Sequence, residues 1–198
     1  SRTVACFRTT SASASSARAA EPHDTLALTA LSGAAQRQVY LIVKSSLQIA
    51  FITGRSRPGC WPLSPQQSAF LTALELPSTL RVSANFPWQS QPDCDYPPIG
   101  LLRASVNNAR EYLGSRRSRF MQRYQPLALA LLARADHTLL LSGSCGLELF
   151  NNLHLPAEVL SRVSLFAYGP VARKRPACRH LLVQGHRDAI SRLWFPQV

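Results

Sequence analysis

Apolar and polar positions follow two different periods along this chain, and the changes of period mark its elements. Residues 39–43 (Val-Tyr-Leu-Ile-Val) and 47–53 (Leu-Gln-Ile-Ala-Phe-Ile-Thr) are short runs rich in branched and aromatic side chains, separated by Lys44, Ser45 and Ser46. Such runs predict two adjacent strands paired as a hairpin. The second gives way to a glycine-bounded loop, residues 54–59, and then to Ser64-Pro65. Serine as a cap with proline in the first turn predicts a helix running to Leu74. A third strand is expected over residues 80–86. Pro87, Pro92, Pro97 and Pro98 break regular structure over residues 87–99.

Helical spacing of apolar residues, with arginine on the opposite face, recurs over residues 101–113 and 115–133. Residues 138–141 (Thr-Leu-Leu-Leu) then form a short apolar strand, 142–146 (Ser-Gly-Ser-Cys-Gly) a tight turn and 147–153 a helix. Strands at 163–167 and 180–184 and a short helix at 189–194 complete the pattern. Strands without polar alternation are buried on both faces. Alternating with helices, they predict an α/β fold: a mostly parallel sheet flanked by helices and joined by right-handed crossovers.

Composition refines this picture. A hydrophobic share of 46% and a mean hydropathy of -0.04 suit a packed core. No run approaches the roughly 18 apolar residues of a membrane-spanning helix. Residues 1–20 carry Arg2, Arg8 and Arg18, many Ser and Ala, and no acid before Glu21. This is the composition of a transit-type leader or of a disordered terminus. The chain is therefore divided into residues 1–37, leader-like, and residues 38–198, the folded domain.

The net charge of +12 comes from 22 basic and 10 acidic residues, and Lys44 and Lys174 are the only lysines. Arg116, Arg117, Arg119 and Arg123 on one helix, and Arg173, Lys174 and Arg175 in a loop, read as solvated surface rather than a nucleic-acid footprint. A basic nucleic-acid-associated protein is thus an alternative resting on charge alone. Cys6, Cys60, Cys94, Cys145 and Cys178 are odd in number and show no CxxC pairing. This argues against a zinc site and a complete disulfide framework, and favours a reducing, cytoplasmic setting, or an organelle if residues 1–20 are a leader. No metal or cofactor motif is present, and neither glycine-rich nucleotide signature occurs at residues 142–146.

In an open parallel sheet, functional groups gather at the carboxyl ends of strands. Three features fall there. Residues 142–146 have the spacing of a G-x-S-x-G elbow with Ser142 in place of the first glycine. Small neighbours let strand and helix approach while Ser144 is presented at the turn, and the Cys145 N–H can then help hold an oxyanion. Gly185-His186-Arg187-Asp188 follows the last strand, with Asp188 placed to orient an imidazole or to cap the next helix. The loop at Gly54 and Arg55 offers a second oxyanion N–H. Cys145 itself is a rival nucleophile if the helix start lowers its pKa.

This order of strand, S-G-S-C-G elbow, helix, two strands and G-x-x-D resembles the α/β-hydrolase fold family over residues 38–198. The resemblance implies that Ser144 is the nucleophile, Asp188 the acid and Cys145 an oxyanion donor, acting on an ester, thioester or related small-molecule acyl substrate. It also implies a catalytic histidine after a further strand. No histidine follows Asp188, so the domain is expected to be incomplete at its C-terminus or to lack the base. Of the other histidines, His186 alone is expected at the correct end of its strand. A non-catalytic or truncated binding protein is the alternative.

Overall fold

The computed structural model describes residues 45–55, 59–89 and 100–198. Residues 39–43 and the leader-like segment lie outside them. Five strands form one parallel sheet: β1 (Ser45–Thr53), β2 (Arg81–Asn85), β3 (Ala135–Gly143), β4 (Val163–Tyr168) and β5 (Arg179–Val183), in the spatial order β2-β1-β3-β4-β5. Each neighbouring pair is parallel. The chain order reverses between β1 and β3, and such a switch point opens a crevice at the carboxyl edge.

The described partners of the second expected strand are both parallel to it. β1 lies between β2 and β3 and starts at Ser45, inside the expected spacer, so both of its edges are taken by parallel partners. The local pattern of a buried strand does not distinguish a parallel from an antiparallel neighbour.

The helices are α1 (Pro65–Ala73), α2 (Leu101–Gly114), α3 (Ser118–Leu132), α4 (Gly146–Asn151), α5 (Ala157–Leu160) and α6 (Ala189–Trp194). At α1 the expected cap is present in full: Ser64 Oγ accepts from Gln67 N at 3.2 Å, and Ser64 N donates to Gln67 Oε1 at 2.8 Å. α4 is shorter than the expected 147–153, because Leu153 ends in a turn before the left-handed His154 (φ 49°).

Two apolar layers cover the sheet. On one face Ala50, Ile52, Leu140, Leu165 and Leu182 pack with Leu131 and Leu132 of α3, and with Leu147, Leu149 and Phe150 of α4. On the other, Ile49, Phe51 and Leu141 pack with Leu63 and with Leu71 of α1. That second cover reaches the half-buried Phe166 of β4. Beyond it Leu181 and Val183 of β5 are 59% and 40% exposed.

Candidate active site

The site is built on the carboxyl ends of β1, β3, β4 and β5. After Gly143 the chain turns sharply, and Ser144 has φ 52°. A left-handed conformation costs a residue with a Cβ roughly 1–2 kcal/mol, so the surroundings must hold it. Ser144 N donates to the Tyr168 carbonyl at 3.4 Å, and the Ser144 carbonyl accepts from Val171 N at 2.9 Å. Ser144 is exposed, whereas residues 140–143 and 145–150 are buried. Among the described residues no histidine hydrogen-bonds to it.

The glycines of the elbow are required by contact. A Cβ at Gly146 would stand 1.9 Å from the Ile52 carbonyl oxygen, and one at Gly143 would meet the Tyr168 ring at 2.7 Å. Both lie inside contact distance, and at Gly146 the group met is backbone, which cannot swing away as a side chain can. Ser142, in the place of the first glycine, is tolerated, but its fully buried Oγ has no hydrogen-bond partner.

Asp188 lies in the turn after β5 and caps α6, its Oδ1 accepting from Ser191 N at 3.0 Å. That hydrogen bond holds its carboxyl below the usual range, so it is ionised. The second oxygen faces Gly169, where an added Cβ would lie 2.8 Å from Oδ2. Gly169 follows Tyr168, whose carbonyl receives the Ser144 N–H. Ser144 and Asp188 therefore flank the same stretch of backbone on one edge of the sheet.

The oxyanion candidates divide. The Cys145 N–H has no backbone acceptor among the described residues. The Arg55 N–H, in contrast, donates to Glu111 Oε2 at 2.6 Å, and the Arg55 guanidinium pairs with the same carboxylate. This corrects the expectation for Arg55: a carboxylate on α2 already holds that donor. Gly54 packs tightly, since a Cβ there would meet Asn108 Oδ1 at 2.5 Å and Cys145 Sγ at 2.6 Å. The loop is fixed from β2, where Asn85 Oδ1 accepts from Thr53 N at 3.0 Å and Asn85 Nδ2 donates to Thr53 Oγ1 at 2.9 Å.

The rival nucleophile is also corrected. Cys145 is buried, and burial first, then the Glu111 charge, pushes its thiol up to about 12. Such a thiol stays protonated at neutral pH. Cys60 is disulfide-bonded, a departure from the all-reduced expectation.

Behind the elbow, Glu148 of α4 is 1% exposed. It accepts from Arg173 N at 3.0 Å and Arg173 Nε at 2.7 Å, and from Arg116 Nε at 3.3 Å. Burial opposes its charge, but the Arg173 and Asn152 hydrogen bonds prevail and hold its carboxyl below the usual range. This buckle ties α4 to the corner after α2 and to the segment following β4. Sequence reading missed it, as it missed Asn85 and Glu111.

The remaining histidines are placed elsewhere. His137, at the start of β3, pairs with Ser164 Oγ at 3.0 Å, and His180, at the start of β5, pairs with the Cys178 carbonyl at 2.8 Å. His154 follows α4. His186 is exposed in the turn with Asp188, at the same edge as Ser144. Beside the elbow, Phe51, Phe70, Leu141, Phe166 and Tyr168 line an apolar groove of about 310 Å³. Tyr168 joins the groove to the turn, since its ring lies against Gly143.

Compared with known protein families, characterised proteins and solved structures, the chain matches none of them.

Proposed function

We propose that this chain is an α/β-hydrolase-like protein in which Ser144 is the nucleophile of an acyl-transfer reaction on an ester, thioester or related substrate. The observation that carries the reading is the left-handed, exposed Ser144 between buried glycine-flanked neighbours. A strained, over-determined backbone at an exposed hydroxyl is how a nucleophile is presented. The order of parts supports it too. The elbow follows the central β3, and the Asp188 carboxylate follows β5, two strands further on, as the resemblance implies.

In the proposed reaction an imidazole base, for which His186 is the histidine at this edge among the described residues, takes the Ser144 proton as Oγ attacks the acyl carbonyl. The Cys145 N–H donates to the developing oxyanion. The proton then passes to the leaving alkoxide or thiolate as the C–O or C–S bond breaks and the acyl-enzyme forms, which water hydrolyses. Asp188 orients and balances the imidazolium. An acyl chain occupies the apolar groove beside Tyr168, which commits the substrate to an apolar acyl group. Hydrolysis of a series of p-nitrophenyl esters tests this. Activity that rises with acyl length and vanishes in Ser144→Ala supports it, and activity unchanged in Ser144→Ala defeats it.

A second reading has its own observation. Among the described residues no histidine hydrogen-bonds to Ser144, and a serine without a base is a weak nucleophile. On that reading the chain binds acyl ligands without turning them over, and saturable ligand binding with no Ser144-dependent hydrolysis is its signature.

A further inference from the structure

Around the corner between α2 and α3 lies a cleft of about 530 Å³ on a part of the molecule to which the acyl reading gives no role. Its rim carries Arg55, Arg110, Arg117, Arg119 and Arg123, against one carboxylate among the described residues, that of Glu111. That carboxylate is committed to Arg55. Arg110, Arg117, Arg119 and Arg123 have no carboxylate partner among the described residues. Among the described residues the positive excess across this concavity is uncompensated, and a concave shape focuses such a field more strongly than an open helix face does.

Two of the arginines, Arg55 and Arg123, are also held. The Arg55 guanidinium lies 6.0 Å from the Trp61 ring centroid and 5.8 Å from that of Tyr124, and the Arg123 guanidinium stands 5.3 Å from the Tyr124 ring. Stacking on aromatic faces restricts these long side chains, which lowers the ordering cost of a ligand contact. The corner itself is rigid. Buried Ser115 donates to the Tyr112 carbonyl at 2.8 Å and accepts from Asn152 Nδ2 at 2.8 Å, which fixes where α3 sets out and so the spacing of Arg117 from Arg119 and Arg123.

We propose that this cleft binds the phosphate or pyrophosphate group of a small-molecule ligand. Guanidinium groups match phosphate geometry with paired hydrogen bonds. A volume of this size admits a ligand on the scale of a mononucleotide.

Inorganic pyrophosphate titrated into the full chain by isothermal calorimetry tests the assignment. The paired variants are Arg119→Ala/Arg123→Ala in the cleft and Arg134→Ala/Arg179→Ala at the opposite edge of the sheet. All four side chains are exposed, and the two variants remove equal charge. The expected result is saturable binding that weakens with salt and falls about tenfold or more in the cleft variant, while the control variant binds like the parent. Absence of binding to the parent chain overturns the proposal, as does an equal loss in both variants, which marks attraction by net charge alone.

Discussion

Gly146 lies so close to Ile52 that a single added carbon would come within 1.9 Å of the Ile52 carbonyl oxygen. This contact sets the distance between α4 and β1, and with it the pitch of the elbow that carries Ser144. Gly146→Ala is expected to destabilise the fold by about 3 kcal/mol, because a strand or a helix must shift. Gly114→Ala, at the end of α2 with nothing near its Cβ position, is expected to be neutral or to stabilise by up to about 1 kcal/mol. Urea unfolding of both variants checks the contrast.

Ser142 occupies the place of the other small residue of the turn and leaves its Oγ buried without a partner. Removing an unsatisfied hydroxyl costs nothing and relieves its desolvation. Ser142→Ala is expected to unfold at the same or a higher denaturant concentration, by up to about 1 kcal/mol. A loss of more than that amount shows that the hydroxyl has a partner in solution.

Asp188 both caps α6 and faces Gly169, and the two roles separate by substitution. Asn is as good a cap as Asp, so Asp188→Asn is expected to keep its thermal stability at neutral pH, whereas Asp188→Ala loses about 1 kcal/mol. Ester hydrolysis is expected to fall in both, since only the charged carboxylate balances an imidazolium. Full activity in Asp188→Asn assigns Asp188 to capping alone.

The Glu148 buckle predicts a pH dependence. Its folded carboxyl is held below the usual value, so its stabilisation is complete above the unfolded carboxylate pKa, about 4.3, and is lost as the pH falls through the lower folded value. Glu148→Gln is expected to lower stability by about 1–3 kcal/mol at neutral pH and to flatten the acid limb of the stability curve. An acid limb identical to that of the parent shows that Glu148 does not drive it.

Most elements were legible because their signals are local. Ser64-Pro65 announces α1, the apolar runs announce β1 to β5, and the small residues about Ser144 announce the elbow. What was not legible depends on residues distant in sequence. Nothing near Arg55 reveals that Glu111, on α2, takes its N–H. Nothing in residues 47–53 reveals that the strand pairs with β2 and β3, both parallel to it. The thiol of Cys145 followed the same logic: its place before a helix suggested a lowered pKa, and burial against Gly54 decided the opposite.

The proposed reaction depends on an activated hydroxyl at Ser144. Labelling of the chain with a fluorophosphonate probe, followed by mass spectrometry of the modified peptide, tests it most directly. Modification at Ser144, lost in Ser144→Ala, is the expected result. A chain that stays unlabelled, or is labelled equally in the variant, contradicts it.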